Sequence, residues 1–445
     1  MDAEEVTMAQ ETTARTEHHL RPTALGTRTW LGIIIIGLVG QIAWTVENLY
    51  LNVFVYDTIT DNPTTIATMV AASAIAATLA TFLIGPFSDR IGKRRVFIVT
   101  GYILWGVSTM LFGFITVDSL AALVPAVSVV AATATAVIVL DVVMSFLGAG
   151  ANDASFNAWV TDTTSPSNRG RVESVLAMLP LMSMLLVFGG LDGLTKNGDW
   201  RMFFVVVGAL MIVAGLVALV LIRDVPGEPR QTDSLLRSIV HGLRPDAVRA
   251  NPRLYWTLVA FAILGISTQV FLPYLIIYVQ RYLRIEAYAL VLAVVLTGAA
   301  LISVLGGRII DRVGKVAFML PAAGVYLAGL LLMVFARGLV PVMGAGLVMM
   351  SGFMLTMAAI GAAIRDYSPV DRVGMVQGLR MIAMVLIPMV IGPFIGAAVI
   401  RGADEYYEDL GQLKQVPTPG IFVAAAVVIL LIVIPVQALR RREPS

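Results

Sequence analysis

The chain has 445 residues, of which 58% are hydrophobic and only 13% charged, with a mean hydropathy of +0.86. A water-soluble domain carries about 25% charged residues, so these proportions exclude a soluble fold and point to a protein that crosses a membrane many times. The formal net charge of +2 says little about partners, and the absence of cysteine excludes disulfides and thiol chemistry.

Residues 1–29 are polar and lead into a full-length apolar span without a small-residue cleavage pattern, so they read as a cytosolic tail and not as a removable signal peptide. At about 20 apolar residues per crossing, six spans fall near 30–56, 66–86, 96–116, 132–158, 174–193 and 201–222. The apolar run 119–151 is too long for one crossing, and its first part reads as an outer-surface segment feeding span four. Residues 223–252, beginning RDVPGEPRQTD, read as a cytosolic linker whose short basic amphipathic piece lies on the membrane surface. Six further spans fall near 254–280, 287–307, 316–336, 340–364, 374–400 and 419–439, before a short tail at 440–445. The expected fold is therefore an all-α membrane protein of twelve helices, with one six-helix bundle over 30–222 and a second over 253–439.

Lys and Arg gather on the loops that share a face with the N-terminus: Arg90, Lys93, Arg94, Arg95, Arg169 and Arg171 in the first half, and Arg308, Arg312, Lys315, Arg365 and Arg372 in the second. The opposite loops keep only scattered bases such as Lys196, Arg281 and Lys414. This bias places both termini in the cytoplasm, as expected of a plasma-membrane carrier.

The two halves repeat. GPFSDRIGKRR at 85–95 and GRIIDRVGK at 307–315 share one spacing, so Gly85, Asp89, Arg90, Gly92 and Lys93 match Gly307, Asp311, Arg312, Gly314 and Lys315. DTTSPSNRG at 162–170 and DYSPVDRVG at 366–374 repeat an acid (Asp162, Asp366), a Ser-Pro and a base (Arg169, Arg372). A six-plus-six duplication with parallel halves is a transporter signature. Over essentially its whole length the chain resembles the major facilitator superfamily, whose best-known motif is the 85–95 loop. VENLYLNVFVYD in span one and NDASFNAWVTD at 152–162 resemble the glycoside–pentoside–hexuronide and sucrose-type sugar:cation symporters of that superfamily. The resemblance implies that the repeated loops form an inner gate, in which Asp89 and Asp311 accept hydrogen bonds at a neighbouring helix start. The plainer reading makes these loops topology anchors. Only the first copy has Arg94 after its lysine.

Polar residues inside the spans are the candidates for chemistry. At 100° per residue, Gln41, Thr45, Asn48 and Asn52 form one stripe on span one. Such a stripe either lines a wet cavity for a neutral, hydroxyl-rich ligand or bonds helices together. Glu47 sits about 100° from Asn48, with Trp44 between it and the stripe, and no base lies at its depth. Without a counter-charge a buried carboxyl favours its neutral form, so Glu47 is either a proton-coupling group or a permanently neutral acid. Asp153 lies nine residues before Asp162, about 13 Å from the inner end, flanked by Asn152 and Asn157. Arg380 lies six residues past Gly374, about 9 Å in, where it can meet Asp153 or snorkel to the interface. The sugar-symporter resemblance implies a coupling role for Asp153 and, more loosely, for Arg380. Asp141 reads as a third acid near the outer vestibule.

Gln269 and Tyr274 beside Pro273, together with Gln377, complete the expected substrate contacts. Span two holds Thr78 and Thr81 but no acid, so H⁺ is favoured over Na⁺ as the coupled ion. The histidines lie only in the tail and the linker, and no phosphate-cradling loop appears. The expectation is a monomeric secondary carrier without enzymatic activity, cofactor, metal or nucleic-acid partner. Proton-coupled sugar or glycoside symport leads, with proton-driven export of drugs or other amphiphiles as the alternative.

Overall fold

A computed structural model describes residues 25–121, 128–224, 235–369, 373–409 and 412–442. These residues contain twelve helices long and apolar enough to span a bilayer. In the first half they are α1 (Thr27–Thr58), α2 (Pro63–Ile91), α3 (Arg94–Phe112), α4 (Val129–Thr163), α5 (Asn168–Gly190) and α6 (Trp200–Leu221). The second half contains α7 (Pro252–Tyr282), α8 (Tyr288–Ile310), α9 (Lys315–Phe335), α10 (Leu339–Tyr367), α11 (Gly374–Ala403) and α12 (Gly420–Arg440). Each predicted crossing overlaps one of them. The long apolar run 119–151 resolves into a short helix at Val117–Ala121 and the start of α4, and 122–127 lie outside the described residues.

Local chemistry sets the helix ends. Asn62 caps α2, its side chain accepting from Thr64 N at 3.0 Å, with Pro63 opening the first turn. Gly92 ends α2 at φ +66° and its repeat partner Gly314 follows α8 at φ +94°, conformations a Cβ disfavours. The helix exteriors expose Leu79, Leu83, Val139, Leu301 and Val304, as hydrocarbon contact permits. Inward faces bury Trp105, Trp159, Tyr102, Tyr326 and Phe203.

The halves meet mainly where α2 packs on α11 and α5 on α8. With an even number of crossings, both described chain ends lie on one face, here called the terminal face. The linker departs from expectation. Its helices, Leu235–Gly242 and Pro245–Ala250, do not simply lie on the bilayer surface. Ile239 is buried, its side chain reaching the space left by Gly378 on α11. The stretch 225–234, with the RDVPGEPRQTD acids and bases beyond Asp224, lies outside the described residues.

The far face is cross-linked. A hairpin of β1 (Tyr406–Asp409) and antiparallel β2 (Gln412–Gln415) joins α11 to α12. Tyr56 donates to Gln415 O at 2.6 Å, and Gln415 N donates to Asp61 at 2.6 Å. Arg281 of α7 pairs with Asp57 of α1 at 2.8 Å. Asp192, in the short helix Asp192–Lys196, accepts from Tyr50 at 3.0 Å and from Tyr288 of α8, and pairs with Lys196 at 2.9 Å. Tyr274 donates to Pro63 O and Pro393 O at 3.0 and 2.9 Å. Bonds between the halves thus close the molecule at the far face, beyond the central cavity.

Candidate functional site

Four of the described spans contain π-helical turns; one, Tyr278–Tyr282, ends α7, and the other three supply residues to one cavity. Val46–Tyr50 in α1, Ala149–Phe156 in α4 and Ile382–Leu386 in α11 are π-helical. Such turns insert an extra residue, re-aim side chains and frequently mark functional sites. A cavity of about 240 Å³ lies among them, lined by Trp44, Glu47 and Asn48 of α1, Ser73, Ala74 and Ala77 of α2, Asp153 of α4, and Met381, Val385 and Met389 of α11. A second cavity of about 310 Å³ is lined by Gln41, Asn152, Asp153, Asn157 and Glu173. Asp153 borders both, while Asn157 and Glu173 are exposed, so the pair of cavities leads from the buried Glu47 toward the terminal face.

The predicted stripe on α1 is split. Asn48 and Gln41 line the two cavities, but Thr45 bonds Ser183 of α5 at 3.0 Å and Gln41 O at 2.8 Å. Asn52 is buried, donating to Asn48 O at 2.8 Å and leaving its Oδ1 without a partner. A regular helical wheel places Glu47 off the cavity stripe, but the π turn brings it and Asn48 to one wall.

Asp153 accepts from Asn152 Nδ2 at 2.9 Å and shares the central cavity with Trp44. Asn152 Oδ1 in turn lies 2.9 Å from the Tyr102 hydroxyl. This network passes beside Gly40, where a Cβ would stand 2.5 Å from Asn152 Oδ1 and 2.6 Å from Tyr102 Oη. Asn157 Nδ2 donates to Asp153 O at 3.2 Å. The expected Asp153–Arg380 pair does not form. Arg380 lies over the Phe261 ring, 6.0 Å from its centroid, and Asp153 accepts instead from Asn152.

Glu47 is 6% exposed, and its Oε1 accepts from Ser145 of α4 at 2.6 Å. Its Oε2 has no partner. Asp141 is not in an outer vestibule. It is 1% exposed, and its Oδ1 has no partner. An unmet buried polar atom costs about 1–3 kcal/mol, more when charged.

Of the remaining predicted contacts, Tyr274 has its hydroxyl committed to Pro63 O and Pro393 O. Gln269 is half-buried where its Cβ lies close to Gly392 of α11, and Gln377 is exposed. Sequence reasoning missed Ser73, Ser145, Trp105 and the α11 wall. Ser145 follows Asp141 by four residues, a same-face spacing that could have revealed it. Trp105 stacks obliquely on Trp44 at 5.2 Å, and no sequence signal announces that.

At the terminal face the repeated loops differ from expectation in partner. Asp89 pairs with the Arg94 guanidinium and not with helix-start amides, and Arg94 reaches Asp162 at 3.2 Å and Ser88. The second half repeats the cross-loop pair as Lys315–Asp366. Gly85, Arg90, Lys93, Arg169, Gly307 and Arg312 sit on these same loops and helix ends. Arg372 and the Asp311 side chain lie outside what is described.

No curated protein sequence matches the chain. Among solved structures, that of a variant of the nucleoside transporter NupG aligns at TM-score 0.71 and 12% identity, covering 92% of this chain and 99% of that one. The xylose transporter XylE from E. coli, in a partially occluded inward open conformation, aligns at 0.65 and 13%, over 94% and 98%. A bacterial homologue of the human lysosomal transporter Spinster, inward-facing and occupied, aligns at 0.65 and 16%, over 93% and 96%. These likenesses concern the fold. The sequence model described as Major Facilitator Superfamily matches residues 29–339 and 283–445. With twelve spans in two halves and that match over nearly its whole length, this multi-pass membrane protein belongs to the major facilitator superfamily.

Proposed function

We propose that the protein is a proton-coupled symporter of a sugar or glycoside, working by alternating access. The observation that carries the reading is the central cavity: Trp44 and Asn48 offer an aromatic platform and an amide beside the buried Glu47 and the half-buried Asp153, with no base among the lining residues. Aromatic faces and amides suit hydroxyl-rich ligands, and acids without a cationic partner suit proton uptake. Glu47 and Asp153 are the coupling groups in this reading, and Gln41, Asn152 and Asn157 extend the polar path. The fold neighbours include carriers of nucleosides and of xylose, both rich in hydroxyls. Span α2 contributes Ser73, Ala74 and Ala77 and no acid, which favours H⁺ over Na⁺. We place the terminal face in the cytoplasm on the Lys/Arg bias of its loops, which makes the described state inward-facing and the far-face cross-links a closed outer gate.

One feature favours the alternative, export of amphiphiles. The α11 wall of the cavity is Met381, Val385 and Met389, apolar and adaptable. Purified carrier in sodium-free liposomes with an internal pH dye separates the two. Acidification inside on adding one disaccharide or glycoside from a panel to the outside establishes symport. Silence across the panel, with proton flux only on adding cationic amphiphiles, overturns it in favour of export.

A further inference from the structure

A cavity of about 370 Å³ lies at the far face, lined by α1, the short helix Asp192–Lys196 and α6 from the first half and by α7, α8 and the turn between them from the second. Small-molecule sites usually enclose about 300–1,000 Å³. This cavity falls within that range, and the central one, at about 240 Å³, falls below it.

The lining is polar but carries no excess charge. Two bases, Lys196 and Arg281, stand with two acids, Asp57 and Glu286. A cleft steers a charged molecule when one sign dominates its walls, and here neither does. Donors and acceptors side by side instead match a neutral ligand whose hydroxyls do both. Thr195 and Gln280 add to that set, and Trp200 with the buried Val53 and Ile285 supplies apolar surface. Among the described residues, the side chains of Gln280 and Glu286 make no hydrogen bond or ion pair.

The bonds that close the far face border the same cavity. Arg281 of the second half holds Asp57 of the first at 2.8 Å. Tyr288 donates to Asp192, which Lys196 also holds at 2.9 Å, and the Lys196 ammonium lies 5.1 Å from the centre of the Tyr288 ring.

We propose that this far-face cavity is a second, entry-side binding site for a neutral, hydroxyl-rich ligand of the sugar or glycoside class, and that filling it opens the far face. A sugar seated there takes hydrogen bonds from Arg281 and Lys196, and each one is withdrawn from the ties between the halves. With the halves apart, all four charged groups can turn to the sugar. The open state therefore binds it better, which is what a ligand needs to shift the equilibrium. The inference rests on the sugar-carrier reading and adds Gln280, Glu286 and Trp200 as contacts outside the central cavity.

The test uses the purified full chain in lipid nanodiscs, with sucrose, maltose and methyl glucoside as probes and binding read by calorimetry. Two sites per chain are expected. Glu286→Gln and Gln280→Ala should each weaken one of them about ten-fold, the scale of one lost hydrogen bond, and leave the other unchanged. Asn48→Ala, in the central cavity, should do the reverse. A single site, lost in Asn48→Ala and indifferent to Glu286→Gln and Gln280→Ala, overturns the entry site. The chain has no cysteine, so spin labels on Asn197→Cys and Ala403→Cys, both exposed positions, report the separation of the halves at the far face. Sugar should lengthen that distance, and Gln280→Ala should move the change to about ten-fold higher sugar. Two sites with a fixed distance would overturn the opening. The sugar-carrier reading fails separately: no binding of any probe removes both, whereas one central site with sugar uptake keeps the carrier and loses only the entry site.

Discussion

The two halves agree at the terminal face and part company inside. Arg94–Asp162 in the first half and Lys315–Asp366 in the second tie corresponding loops together, and Gly92 and Gly314 turn the chain at matched positions. In the membrane interior the first half holds Glu47, Asp141 and Asp153, with two carboxylate oxygens unmet. The second half holds no mid-span acid. Its buried polar groups are neutral: Ser267 donates to Ala425 O at 2.8 Å, Thr268 lies 3.2 Å from the Tyr326 hydroxyl, and Ser351 Oγ and Tyr278 Oη have no partner. Its one mid-span charge, Arg380, rests over Phe261. Duplication kept the charged loop pairs in both halves, but mid-span acids stand in the first half alone.

That contrast can be broken at its strongest point first. Glu47→Gln should reduce pH-driven concentrative uptake by about 100-fold or more, the scale of losing a positioned proton-transfer group, while counterflow exchange continues. Loss of both activities together would indicate a structural role instead. Gly40→Leu should come next, because its side chain would enter the space of Asn152 and Tyr102. Overpacking of this kind costs about 1–3 kcal/mol, visible as a lower unfolding temperature in detergent, whereas Gly324→Leu in the second half, with nothing near its Cβ, should leave it unchanged.

Arg94→Gln should slow the access change several-fold without weakening substrate binding, since Arg94 is buried and serves Asp89, Ser88 and Asp162 together. Stopped-flow transport against equilibrium binding separates the two. Lys315→Gln should have the smallest effect, because that pair is exposed and such pairs contribute about 0–1 kcal/mol. Equal effects of the two would show that the halves gate alike.

The legible part of the fold was large. Apolar runs of spanning length located all twelve helices, and repeated Gly-Asp-Arg-Gly-Lys spacing revealed the two halves. Glu47 and Asp153 stood out because an acid in a span is rare. The pairings were not legible. The wheel reading of α1 assumed 100° per residue throughout, and the π turn at Val46–Tyr50 breaks that phase. Depth alone made Asp153 and Arg380 neighbours, but Asn152 took the acid and Phe261 took the base. Asp141 looked peripheral from its place near the start of span four, yet it is 1% exposed.

Composition and periodicity by themselves determined that this chain crosses the membrane twelve times in two related halves, because hydrocarbon tolerates only long apolar helices. Which polar groups pair, and which carboxylate oxygens go without a partner, was decided by the tertiary structure alone. Those contacts depend on how separate helices rotate and pack, and no local pattern along the chain records that rotation.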